Sequence, residues 1–171
     1  VAGYDEDVFR EMDHGTKTLS TIAMNQPTVF VGTAPKAGFW LLRTEDYLTE
    51  SSAEEDFWIA AVEFSDSVGV DVISSSLGYH GFDDKSLNYR YRDLNGRTAP
   101  ISQVASRLAS KGMILVNSAG NDGMGIWKKI NVPADASDIL TVGAVSPDSL
   151  NAPFSSIGPS ADGRVKPDVV A

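Results

Sequence analysis

The sequence predicts an α/β fold with a doubly wound, mainly parallel sheet and helices on both faces, and two observations carry that expectation. Short runs of branched and aromatic residues alternate with stretches whose apolar residues recur at helical spacing. Strand, helix and strand in succession build βαβ units, whose right-handed crossovers give a parallel sheet. Small and turn-forming residues then gather just past the predicted strand ends, where open parallel sheets hold their ligands.

The elements read in order as follows. Ala37 to Thr44, AGFWLLRT, is a run of aromatic and branched residues expected to form a strand buried on both faces. Ser51 and Ser52 with Glu54 and Glu55 form overlapping capping boxes. Phe57, Ala61, Phe64 and Val68 then predict an amphipathic helix that buries this face and ends near Gly69. Val70 to Ser75 is the next strand. After a long polar loop, Ile101, Val104, Ala105 and Leu108 mark a second helix closed by Gly112. Met113 to Ser118 and Ile139 to Val145 are two further strands. His14 stands before a helix running through Leu19, Ile22 and Ala23.

Composition narrows the function. The 171 residues are 42% apolar, enough for one sizeable core, and carry a net charge of −9, which repels phosphate backbones and anionic lipid. Nucleic acid is therefore not an expected partner. No apolar run approaches the roughly 20 residues of a membrane-spanning helix, so no such segment is expected. Without cysteine there is no thiol catalysis, disulfide or thiolate metal site. No His, Asp or Glu cluster has metal-ligand spacing. No repeat or flexible linker divides the chain. Val1 to Asp13 is acidic and polar, and Arg164 to Ala171 ends without a turn or cap, as expected of part of a larger domain.

Two loops at strand ends are candidate sites. Ser76, Leu77 and Gly78 follow one strand, and Asn117 to Gly123 the next, with Ser118, Ala119 and Gly120 leaving room for a pocket. Asn121 there has two readings: an amide N–H aimed at a bound anion, or an Asn-Asp-Gly turn residue that tolerates positive φ. Taken alone, His14 is a structural or exposed residue at a helix start, and His80 a member of a polar loop. Tyr89 to Arg92 reads as solvated loop, since Asp83, Asp84 and Asp93 surround its two arginines.

Taken together and in this order, the segments resemble the subtilisin-like serine peptidases, or subtilases, from about His14 to the last residue. His14-Gly15-Thr16 with Ser20-Thr21-Ile22-Ala23 is similar to the family's histidine motif, and Gly32 to Ala37 to its turn into the next strand. Val72 to Gly78 resembles the segment that pairs with an extended substrate, and Ser118 to Gly123 the one with the oxyanion asparagine. Pro133-Ala134, Thr141 to Ala144, Phe154-Ser155-Ser156 and Lys166-Pro167-Asp168 complete the set. Lys17 departs from the pattern, which usually has a second histidine there.

The resemblance implies peptide-bond hydrolysis by a Ser-His-Asp mechanism, with His14 and Asn121 in catalytic roles. Ser76, Leu77 and Gly78 then bind a polypeptide substrate as an added strand, and Ser118, Ala119 and Gly120 form one wall of its P1 pocket. The family's triad aspartate lies in an Asp-Ser/Thr-Gly motif upstream of the histidine, and none of Asp5, Asp7 or Asp13 lies in one; its serine follows in a Gly-Thr-Ser segment not found here. The expectation is a partial catalytic domain over residues 1–171, inactive alone, from a secreted, periplasmic or cell-surface protein. It needs no cofactor, though structural calcium is compatible with the resemblance. The long loop from Tyr79 to Pro100 is expected beside the substrate cleft, where it either shapes specificity or decorates the surface, decoration being the favoured reading. The alternative is a pseudopeptidase that keeps the fold to bind peptides. An unrelated doubly wound ligand-binding domain would need a Gly-rich phosphate loop, and none is present.

Overall fold

The structure, a computed structural model, describes residues 12–171. Most of the acidic lead, with Asp5 and Asp7, lies outside them. The chain forms two compact units, Val1–Thr49 and Glu50–Ala171.

In the first unit, helix α1 (His14–Ala23) opens where the sequence places it, with Asp13 at the N-cap. The Asp13 carboxylate does not cap the helix; it pairs with Lys17 one turn on at 2.8 Å. That hydrogen bond holds it below the usual carboxylate range. The hydroxyls of Thr18, Ser20 and Thr21 fold back onto carbonyls three residues earlier. A short antiparallel hairpin of β1 (Asn25–Gln26) and β2 (Phe30–Val31) follows. It returns the chain to the end of α1, where Gly32, Thr33 and Ala34 donate backbone N–H groups to Met24, Thr21 and Ile22. The Gly-Thr-Ala-Pro motif thus satisfies carbonyls that a helix end leaves without partners.

Ala37 to Thr44 does not form the predicted strand. Phe39, Trp40, Leu41 and Leu42 are 41–54% exposed, and no strand among the described residues pairs with this run. An apolar pattern signals a capacity for burial, but a strand also needs a neighbour to take its N–H and C=O groups.

The second unit opens with α2 (Ala53–Ser67). One half of a capping box forms, as the Ser51 N–H donates to the Glu54 carboxylate at 3.1 Å, but Ser52 makes no side-chain cap. Gly69, at φ 72°, closes the helix, and the Val70 N–H reaches the Ser65 carbonyl in a Schellman arrangement. The buried face differs from the predicted one. Trp58, Val62 and Ser65 are buried, whereas Phe57 is 37% exposed and Phe64 only half-buried. The phase is fixed by the Trp58 indole, which fills the core and donates to the Ser75 hydroxyl at 3.1 Å.

Strands β3 (Val72–Ser75), β4 (Ile114–Ser118), β5 (Leu140–Gly143) and β6 (Val169–Val170) form one parallel sheet in sequence order. Between β3 and β4 the chain crosses over through α3 (Pro100–Ala105), and Gly112, at φ 87°, turns it into β4. The α/β class and its parallel sheet are as predicted. Strand β6 was not read from the sequence, because two residues carry no period. Ser75, Leu115, Asn117 and Thr141 are buried on one face of the sheet, and Leu115 shares a single core with Trp58, Val62, Ile101 and Ala105. Within this unit the alternate residues Val72, Ile114 and Leu140 are exposed.

The loop from Tyr79 to Pro100 is part of this core, not decoration. Tyr79, Phe82, Leu94 and Ala99 are at most 2% exposed, and Phe82 meets both Tyr79 and Tyr89. At its far end the Gly96 N–H donates to the buried Asp135 carboxylate at 2.7 Å. Arg90 and Arg92 are exposed as expected, but the neighbouring tyrosines are anchored. Tyr91 donates to the Pro159 carbonyl, and Tyr89 donates to Glu55 at 2.9 and 3.1 Å. Irregularly spaced aromatics among acidic residues give no periodic signal of this packing.

Burial pushes the Glu55 carboxyl up to about 7, against the Tyr89 hydrogen bond that lowers it and with the charges of Asp56 and Asp135 adding to the rise. The folded protein therefore holds this proton more tightly than the unfolded chain, where the group titrates near 4.5. The resulting stabilisation is complete below about pH 4.5 and is lost as pH rises through about 7. Glu55→Gln, which keeps an acceptor for Tyr89, is expected to flatten the fall in stability across this window by on the order of 2–3 kcal/mol. Urea unfolding at the two ends of the window checks this, and an unchanged slope would show that Glu55 is charged in the folded state.

Candidate active site

Strands β3 and β4 end side by side, with Ser75 paired to Asn117. The two candidate loops therefore leave the sheet together at its carboxyl edge. Buried Asn117 ties them, donating from Nδ2 to the Leu77 carbonyl at 3.2 Å and to the Ser118 carbonyl at 2.8 Å. Ser76 is exposed, Leu77 and Gly78 are half-buried, and among the described residues β3 is an edge strand of the sheet.

A third segment, residues 130–133, packs beneath both loops. Tyr79 and Val132 exchange backbone hydrogen bonds, and the Asn131 N–H donates to the Ala119 carbonyl at 3.2 Å. The Asn131 side chain lies against both glycines: a Cβ on Gly78 would stand 2.9 Å from the Asn131 Cβ, and one on Gly120 would stand 2.9 Å from its Nδ2. Gly120 also has φ 109°, so its lack of a side chain serves both conformation and close packing. Ala119 is buried and its N–H donates to the Val142 carbonyl, while Ser118 accepts the Gly120 N–H on its hydroxyl at 3.1 Å.

Asn121 projects from this scaffold, with its side chain exposed. It is not among the described non-glycine residues with positive φ, so the turn reading loses its conformational reason; the positive φ falls on Gly120 instead. A turn does form one residue later, where the Gly125 N–H meets the Asp122 carbonyl. Both neighbours of Asn121 are fixed. The Gly120 carbonyl accepts the Ser156 N–H at 2.9 Å, the Asp122 N–H donates to the Ser156 hydroxyl at 3.0 Å, and the Asp122 carboxylate accepts from Asn131 Nδ2 at 2.8 Å.

His80, read as a member of a polar loop, belongs to this neighbourhood. Its ring stacks on Trp127 with centroids 4.6 Å apart, and Nδ1 lies 3.9 Å from the Asp122 carboxylate. Sequence reasoning placed Asp122 in the candidate loop without a task of its own, and it missed Asn131 and His80 as its neighbours. His14 lies in the other unit, exposed at the first position of α1. Among the described residues, no three His, Asp or Glu side chains gather into a set that would hold a metal ion.

A family model described as the subtilase family matches residues 2–171. The chain belongs to the subtilase family. This subtilase is 31% identical over 98% of its length to "Subtilisin-like protease SBT6.1" of Arabidopsis thaliana, covering 15% of that protein. It is 30% identical over 87% of its length to Subtilisin NAT of Bacillus subtilis subsp. natto, covering 35% of it. It therefore spans well under half of either relative. Among solved structures it is similar to the self-cleaved protease domain of PatA, at TM-score 0.67 and 22% identity over 86% of this chain and 50% of that one. It is also similar to MycP1 from Mycobacterium smegmatis, at TM-score 0.62 and 21% identity over 86% and 46%. At these identities the likeness establishes the subtilisin fold, and family membership establishes a serine peptidase lineage. No helix among the described residues is long and apolar enough to cross a membrane.

Proposed function

We propose that residues 1–171 form part of the catalytic domain of an exported serine endopeptidase, whose nucleophilic serine and triad aspartate are supplied by segments of the full-length protein outside this chain. The observation that carries the reading is Asn121, an exposed amide at the carboxyl end of β4 whose two flanking peptide units are both held by Ser156. A donor preorganised in this way meets a developing oxyanion without first having to reorganise.

In this mechanism an extended polypeptide lies along Ser76 to Gly78 as an added strand, held by backbone hydrogen bonds, with its P1 side chain against Ser118 to Gly120. The serine hydroxyl oxygen attacks the scissile carbonyl carbon while His14 takes its proton. The carbonyl electron pair moves onto oxygen, and the Asn121 N–H donates to that oxyanion. Collapse breaks the C–N bond, His14 returns the proton to the leaving amine, and water repeats the sequence on the acyl-enzyme. Acid–base and hydrogen-bond chemistry account for each step, and no cofactor is invoked.

The full-length protein is expected to hydrolyse casein and to be labelled by a fluorophosphonate, and residues 1–171 alone to do neither. A full-length protein that binds peptides but takes no label would replace this reading with the pseudopeptidase one. Labelling of the isolated chain would show that its nucleophile lies within these residues.

A further inference from the structure

Phe154-Ser155-Ser156 is one of the family-like motifs, and the geometry gives it a task. All three residues hold the ends of neighbouring strands. The Phe154 carbonyl accepts the Gly123 N–H at 2.9 Å, the Ser155 hydroxyl accepts the Ala144 N–H at 3.0 Å just past β5, and Ser156 brackets Asn121. The Ser156 bracket has two arms. Its N–H donates to the Gly120 carbonyl at 2.9 Å, and its hydroxyl accepts the Asp122 N–H at 3.0 Å. The peptide units on either side of Asn121 are thus tied to one and the same residue, distant in the chain.

We propose that Ser156 is the positioning residue of Asn121, fixing the direction of its side-chain amide by clamping the backbone before and after it. The inference rests on the oxyanion reading of Asn121 and adds the group that sets its geometry. Three features make serine fit the task. Ser156 is only 1% exposed, so bulk water does not compete for the hydroxyl that receives the Asp122 N–H. The hydroxyl occupies the space a side chain at residue 120 would need, since a Cβ on Gly120 would stand 2.8 Å from Ser156 Oγ. The bond that would be lost lies directly beside Asn121 in the chain, so the consequence falls on the donor more than on the rest of the core.

The test is a double-mutant cycle on kcat in the full-length enzyme, corrected for active sites by fluorophosphonate titration, with Ser156→Ala and Asn121→Ala singly and together. Ser156→Ala is expected to lower kcat by roughly 10- to 100-fold with little change in KM, the scale on which small misplacements of catalytic groups act. In the Asn121→Ala background the same change should cost almost nothing, because the donor it orients is already gone. Amide exchange at Asp122 should also quicken in Ser156→Ala, a readout independent of turnover. If Asn121→Ala itself spares kcat, the oxyanion reading fails and takes this proposal with it. If Asn121→Ala lowers kcat but Ser156→Ala does not, or the two losses simply add, Ser156 is only a structural residue while the oxyanion reading stands. Should Ser156→Ala not fold, Ser156→Cys, nearly the same shape with a weak acceptor, is run through the same cycle and read by the same outcomes.

Discussion

Replacing His14 by Ala in the full-length enzyme is expected to lower kcat by about 10⁶-fold, the scale on which a subtilisin loses rate when its triad histidine is removed. In the proposed mechanism, loss of the imidazole leaves nothing to take the serine proton during attack or to return a proton to the leaving amine. Fluorophosphonate labelling should fall with turnover, since both need the activated serine. The structure makes this a clean test. His14 is exposed at the first position of α1, and no residue of that helix is buried. An imidazole in that position supports little packing, so a merely structural histidine predicts unchanged kcat and unchanged stability. A folded His14→Ala enzyme with wild-type turnover would remove His14 from the mechanism. Lys17→Ala supplies the control: it breaks the exposed pair with Asp13 on the same helix and should leave kcat within a few-fold.

What could be read in advance divides according to how far apart the interacting residues are. The strands at Val72–Ser75, Ile114–Ser118 and Leu140–Gly143 were legible because each is a local run of branched residues bounded by turn formers. The places of Ser76 to Gly78 and Ser118 to Asn121 at the ends of β3 and β4 were legible for the same reason, since small residues at a strand end are a local pattern. Helix α2 was legible as a helix but not in phase. Both the Phe57, Ala61, Phe64 stripe and the Trp58, Val62, Ser65 stripe recur at helical spacing, and the choice lies with distant partners, the core that Trp58 and Val62 enter and the Ser75 hydroxyl that Trp58 meets. The run from Ala37 to Thr44 failed for the converse reason: its composition favours a strand, but strand formation depends on a partner its own sequence cannot name. Asn131 and Ser156, which hold the candidate loop, reach Asp122 from 9 and 34 positions away. Neither belongs to a periodic pattern, and each is an ordinary polar residue until the fold brings its partner to it.

Replacing Asn121 by Ala in the full-length enzyme is expected to lower kcat by roughly 10²–10³-fold, about 3–4 kcal/mol, a magnitude carried over from the corresponding kind of donor in a subtilisin. KM should barely move. In the proposed mechanism the Asn121 N–H meets charge that exists on the carbonyl oxygen only in the transition state, so its loss should appear in kcat, whereas a residue that binds substrate uniformly would raise KM and spare kcat. The fold predicts that this loss is local. Asn121 is exposed, while the bonds that hold its loop belong to Gly120, Asp122, Asn131 and Ser156, so truncation at Cβ leaves the scaffold in place. Thermal stability should therefore stay within the small range of surface substitutions even as turnover collapses. Asn121→Asp should be at least as damaging as Asn121→Ala, because a carboxylate beside Asp122 would face the developing oxyanion with negative charge and no donor hydrogen. Steady-state kinetics on all three proteins, each titrated for active sites, decides the matter. Wild-type kcat in folded Asn121→Ala would make Asn121 an ordinary loop residue and leave the oxyanion without its donor.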